Sequence, residues 1–303
     1  MRHYINKRIL LFFIGIAAMM CNGMSCGAQT QRESYVDIFS GVEFNYRNIY
    51  YNNKLYDLLI NLTPGFKWHL KHQWMIAAEG YVPIYNDYGE RYKRIRLNMA
   101  VVSKEAQWGK QFFKFSGGLF GRERYGIDMK WMYPMNHWLA VDAQIGYTGF
   151  CSMAVDWECS KMERVTGWIG ARMYMNKLNT EFRLQGGRYI YEDYGVRGEC
   201  MRHFKHCTVG VYAQYSDWGE ENFGFKIVMM IPPYKRKMRK INFHPASNFR
   251  LTYNLQADPY SMLMYRTDPE ENEREGYFNR DSLQWGANRM PADFSEKKGG
   301  SGK

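Results

Sequence analysis

Residues 182–233 read FRLQGGRYIYEDYGVRGECMRHFKHCTVGVYAQYSDWGEENFGFKIVMMIPP. From Val209 to Ser216, Val209, Val211, Ala213 and Tyr215 alternate with Gly210, Tyr212, Gln214 and Ser216. From Phe223 to Ile231, Phe223, Phe225, Ile227, Met229 and Ile231 alternate with Gly224, Lys226, Val228 and Met230. Successive side chains of a strand point to opposite faces, so each segment carries one apolar and one mixed face. The polar, Gly-containing stretch from Asp217 to Asn222 joins them as the turn of a β-hairpin.

The same period runs upstream. Strands are predicted near 38–46, 58–70, 74–84, 95–101, 113–119, 125–131, 139–147 and 165–175, which with four in the quoted stretch gives about twelve. In the fourth, Ile95, Leu97, Met99 and Val101 share the apolar face against Arg94, Arg96 and Asn98. Pro64 and Pro83 mark ends, bulges or edges, since proline cannot donate to a ladder. Long connections at 47–55, 85–92, 149–162 and 217–222 alternate with short turns at 71–73, 133–136, 176–179 and 203–206. Two links, 103–109 and 121–123, break that alternation. Short turns at one end and long loops at the other characterise outer-membrane barrels.

Composition points the same way. Of 303 residues, 17% are aromatic, with 24 Tyr and 9 Trp, which suits interfacial girdles and also carbohydrate contact. Apolar faces commonly begin or end in an aromatic residue, as at Trp68, Trp74, Tyr125, Trp131 and Tyr147. The negative mean hydropathy is consistent with this, because only alternate residues of a barrel strand meet lipid. The net charge of +11 is scattered through alternating segments, which argues against nucleic acid as a partner. Residues 1–28 have the form of a secretory signal: basic Arg2, Lys7 and Arg8, an apolar run from Ile9 to Met20, and small residues up to Ala28. A lipoprotein reading at Cys26 is disfavoured by Gly23, where an apolar residue belongs. After cleavage, Cys151, Cys159, Cys200 and Cys207 are candidate disulfide cysteines, with nearest-neighbour pairing weighed against free thiols. Cys200, His203, His206 and Cys207 are also four possible metal ligands within one turn, but they lack a Cys-x-x-Cys spacing; no metal or other cofactor is assigned.

Gln185, Gly186, Gly187, Arg188, Asp193, Gly195, Arg202, Phe204, Gly210, Tyr212, Gly219, Phe223, Lys226 and Pro232 form a pattern that resembles the C-terminal signature of YjbH-type exopolysaccharide-biosynthesis proteins. Phe204-Lys205-His206 and Gly224 depart from it. The resemblance implies an outer-membrane location and participation in assembly or export of capsule or exopolysaccharide. It further implies polysaccharide and periplasmic envelope proteins as partners, beside outer-membrane lipid.

The reading is therefore an all-β, transmembrane antiparallel β-barrel of about 12 strands, or 14 if the tail adds two. It comprises a signal at 1–28, a barrel at 29–233 and a polar C-terminal extension at 234–303, with 299–303 set aside as linker-like. The mixed faces direct Glu79, Arg96, Asp128, Asp142, Arg172, Tyr174, Arg183, Gln185, Arg197, Glu199, Tyr212 and Lys226 into the lumen. These residues have two readings: a salt-bridge network that stiffens or plugs a small barrel, or a polar surface contacting sugar hydroxyls. No Ser/His pair shares a strand face, so no catalytic residue is assigned. The function expected is non-enzymatic. A barrel enzyme acting on lipid or polysaccharide and a narrow solute porin stand as alternatives.

Overall fold

The computed structural model describes residues 34–51, 54–87, 89–153, 157–204, 207–230, 236–238, 240–246, 248–254 and 262–269. The signal-like residues 1–28, His206, Pro232 and residues 270–303 lie outside these. Sixteen strands form one sheet. They are β1 (Tyr35–Tyr51), β2 (Lys54–His69), β3 (Trp74–Asn86), β4 (Arg96–Trp108), β5 (Gln111–Phe120), β6 (Arg124–Pro134), β7 (Leu139–Ser152) and β8 (Glu158–Cys159). Then come β9 (Arg164–Met175), β10 (Thr180–Arg188), β11 (Tyr194–His203), β12 (Cys207–Ser216), β13 (Glu220–Met230), β14 (Arg236–Met238), β15 (Ile241–Pro245) and β16 (Asn248–Asn254). Among the described residues no helix is long and apolar enough to cross a membrane, a statement that does not bear on strands.

From β1 to β13 each strand pairs antiparallel with the next, apart from two-residue β8, which pairs only with β7. The tail supplies the two ends of this path. β15 runs parallel to β1, Val36 to Ser40 facing Ile241 to Pro245, while β16 runs antiparallel to β13. Only residues 246 and 247 separate β15 from β16. Ala246 N–H donates to Ser40 O at 3.0 Å, and the rings of Phe44 and Phe249 meet edge to face at 5.1 Å. The two ends of the sheet are thus brought together by one continuous stretch of chain. No unbroken ladder closes the ring among the described residues, so the closed form expected from the sequence is met as a curled, mostly antiparallel sheet.

Several connections differ from the sequence reading. β1 and β2 extend through most of 47–55, and β13 begins at Glu220, so neither 47–55 nor 217–222 is a long loop. β4 continues to Trp108 and turns at Gly109, whose φ of 57° suits glycine, so the supposed long link at 103–109 is a tight turn. The longer connections are 87–95 and 153–163, both at the same end of the sheet.

A bulge corrects the face assignment in β4. Glu79 pairs with Met99 but its neighbour Gly80 pairs with Leu97, which leaves Asn98 as an extra residue. An inserted residue reverses the facing of everything after it. Leu97 is consequently exposed on the outer face while Met99 and Val101 are buried inside, instead of lying on one face together.

The burial pattern is inverted relative to a water-soluble sheet. Lys226 (1%), Asp128 (2%) and Arg172 (3%) are shielded, while Ile169 (61%), Leu184 (60%) and Val211 (59%) lie open. Exposed aromatic side chains gather at the strand ends: Trp68, Trp74, Trp108 and Trp138 at the short-turn end, and Tyr56, Tyr85, Tyr194, Tyr215 and Trp218 at the other. Aliphatic residues occupy the band between.

Candidate functional site: a polar interior filled by a C-terminal segment

The inner face holds charge in connected groups, as low-dielectric surroundings require of buried ions. Between β7, β9 and β10, Asp142 accepts from Arg172 at 2.6 Å and from Arg183 at 3.3 Å, and Arg183 also lies over the Trp168 ring at 5.2 Å. Arg172 further approaches Glu181 at 3.8 Å, and Glu181 meets His203 Nε2 at 3.1 Å while His203 Nδ1 meets the Thr208 hydroxyl at 2.8 Å. A second group lies between β11, β12 and β13. Glu199 accepts from Arg197 at 2.6 Å and from Lys226 at 2.8 Å, Arg197 donates to Gln214 at 3.1 Å, and its guanidinium stacks 3.8 Å from the centre of the Tyr212 ring. The Tyr212 hydroxyl in turn donates to Tyr253 O of β16 at 3.0 Å.

The third group is built on a segment outside the sheet. Residues 262–269, MLMYRTDP, run inside the curl from the end carrying the turns 121–123 and 189–193 toward the opposite end. Met262 N–H donates to Asp193 at 2.7 Å, Ile190 N–H donates to Leu263 O at 3.1 Å, and Gly121 N–H donates to Arg266 O at 2.9 Å. The Tyr265 ring stacks on Phe120 at 5.1 Å within a small apolar cluster that includes Met99, Val101 and Ile190. Its hydroxyl donates to Asp128 at 2.9 Å and lies 3.4 Å from the Thr166 hydroxyl. Gly146 makes room for this: a Cβ there would stand 1.6 Å from the Tyr265 hydroxyl oxygen. Arg266 reaches Glu79 at 3.4 Å, Tyr81 at 3.3 Å and Glu43 at 3.7 Å. Asp268 places one carboxylate oxygen 2.7 Å from Lys67 Nζ and the other 2.5 Å from Lys114 Nζ. Burial alone would raise the Asp268 pKa, but the two ammonium groups outweigh it and hold the carboxyl well below the usual carboxylate range.

The residues singled out from the sequence therefore divide among these groups. Asp142, Arg172 and Arg183 come together, as do Arg197, Glu199, Tyr212 and Lys226. Glu79 and Asp128 instead bind the C-terminal segment. Tyr174 donates to Asn179 at 2.6 Å near the short-turn end, and Gln185 is half-buried on β10. Arg96 sits at the edge, its guanidinium 5.2 Å from the Tyr81 ring and 5.0 Å from the Tyr92 ring. Cys151 and Cys159 form a disulfide joining β7 to β8. The pairing of Cys200 with Cys207 is not present: both are free thiols, on neighbouring strands, with Cys200 opposite Val211 and Cys207 opposite Met229. His203 is committed inward to Glu181 and Thr208.

Tyr265, Arg266 and Asp268 are not among the residues singled out from the sequence, because 234–303 reads there as a polar extension or as two added strands. The signal was present: Met262-Leu263-Met264-Tyr265 is an apolar island in an otherwise polar tail.

Residues 85–232 match the model of a protein family described as exopolysaccharide biosynthesis protein YbjH. Over this stretch the chain is similar to the YjbH family. The YjbH match runs from the end of β3 to just past β13, so it contains the Asp142 and Glu199 groups and Lys114. Lys67, Glu79 and the segment 262–269 fall outside it. No individual curated protein matches the chain.

Proposed function

We propose that this protein is a non-enzymatic outer-membrane β-barrel that takes part in assembly or export of capsule or exopolysaccharide, with its lumen occupied by its own C-terminal segment. The observation that carries the reading is the inverted burial: charged residues inside, aliphatic residues outside, and aromatic residues at both edges of the apolar band. In water such a surface is unfavourable, whereas a bilayer rewards it, with aromatic side chains preferring the two interfaces. The similarity of residues 85–232 to the YjbH family supports the exopolysaccharide connection. On this reading the barrel closes at the seam between β13 and β1, a reading supported by β15 pairing with β1 and β16 with β13. Partner proteins of the periplasm and the polysaccharide itself are the interactions this role requires.

The test is to fold the chain in detergent, compare gel mobility with and without heating, and record current in a planar bilayer. Heat-modifiable mobility with little current supports an occluded barrel. Steady current from the intact chain would favour a porin, and a protein that remains monodisperse without detergent would exclude the barrel.

A further inference from the structure

The site occupied by Asp268 has the properties of a binding site for an anion. Lys67 and Lys114 come from β2 and β5, are both deeply buried, and point at opposite oxygens of one carboxylate. Withdrawal of Asp268 takes the closest carboxylate from Lys114, whose other carboxylate, Glu105, stands at 3.9 Å, and a 2.7 Å contact from Lys67, and weakening the pairing of buried cations is costly. A ligand that brings an anion of its own offsets this cost and displaces the segment more easily than a neutral one. The surroundings specify what kind. Phe120 offers an aromatic face, now covered by the Tyr265 ring, and Asp128 accepts a hydroxyl, now that of Tyr265. Glu79 is a further acceptor beside them. A ring face, hydroxyl acceptors and a paired-lysine carboxylate site, arranged along an interior channel, are together suited to a sugar bearing a carboxylate.

We infer that residues 262–269 occupy an acidic-glycan site as an internal stand-in, Asp268 in place of a uronate carboxylate and Tyr265 in place of a hydroxylated ring. This rests on the barrel reading above and names the substrate class of that lumen. The segment is tethered to β16 through residues 255–261, so an incoming glycan competes with an occupant at an effective concentration on the order of millimolar. A single uronate is a poor competitor against that. An oligomer, engaging several positions, is the class that displaces it.

The full chain, folded in detergent, is incubated with an oligouronate or with a neutral oligosaccharide of equal length, and amide hydrogen exchange of 262–269 is followed. The oligouronate is expected to accelerate exchange of this segment roughly tenfold, with the strands unaffected and the neutral sugar inert. Asp268→Asn, which weakens the internal occupant while keeping its shape, is expected to tighten oligouronate binding roughly tenfold because less of the protein is self-occupied. Absence of acceleration in the native protein, or equal effects of acidic and neutral sugars, overturns the inference whatever the variant does. If the strands themselves exchange rapidly and heat-modifiability is absent, the barrel reading fails, and this inference with it. Protected strands with an unresponsive segment refute the glycan site alone.

Discussion

At the scale of single residues, the interior depends on a few positions where no substitute fits. Gly146 is one. Its flexibility is irrelevant there; what matters is the absent side chain, because the Tyr265 hydroxyl occupies the space a Cβ would take. Gly146→Ala is expected to push Tyr265 away from Asp128, cost about 1–3 kcal/mol and raise hydrogen exchange in 262–269. Exchange unchanged from wild type would show that Tyr265 does not occupy this position. Asp268 gives a pH prediction. Its carboxyl titrates lower when bound to the lysines than when free, so its contribution is complete above the ordinary carboxylate value of 3.8. That contribution is lost only as pH falls through the depressed value. The share of the protection of 262–269 that comes from the Asp268–lysine contact is therefore expected to be level from neutral pH down to about 4. Loss of protection near pH 5 would show that another group governs the contact.

At the scale of elements, alternation in the sequence was a reliable guide wherever ladders are regular. In β12, Val209, Val211, Ala213 and Tyr215 face out and Gly210, Tyr212, Gln214 and Ser216 face in, as their period requires. It misled in β4, because the extra residue Asn98 reverses facing without any local mark in the sequence. Loop lengths were also misjudged at 47–55 and 103–109, where polar residues continue a strand instead of leaving it. The Cys151–Cys159 bridge clamps the two-residue strand β8 onto β7. Replacing Cys159 by Ser is expected to cost about 2–3 kcal/mol, the loop closed by the bridge being short. The loss should appear as protease sensitivity confined to 153–163, and cleavage within β9 instead would mean that the clamp serves the whole sheet. Cys200 and Cys207 show the limit of counting cysteines: they are close in sequence, yet each faces a partner strand residue and not the other.

At the scale of the whole molecule, the all-β, mostly antiparallel class and most inward-facing charges could be read from period alone, because a two-residue repeat fixes facing over each regular ladder. The occupant of the interior could not. Which long-range partner meets Lys67 or Glu79 depends on a tail that the period no longer describes, and only the sheet's curvature brings Arg266 and Asp268 to them. Truncation after Asn254 keeps β16 and removes the interior segment. On the barrel reading proposed above, the truncated protein is expected to carry steady current in a planar bilayer where the intact chain carries little. Equal, negligible current from both would mean that the wall side chains alone fill the lumen.

The position of residues 262–269 after the last strand also orders how the protein comes into being. A water-soluble domain collects its sheet around a core that is present from the start. Here the wall precedes the filling along the chain, since residues 262–269 follow β16, which pairs with β13. Until those residues are in place, Lys67 and Lys114 lack Asp268, and Glu43 and Glu79 lack Arg266, so the interior holds two groups of opposite charge still waiting for the segment. In the barrel proposed above, the form that lacks this segment inside is the open one, and the protein's own tail is what occludes it.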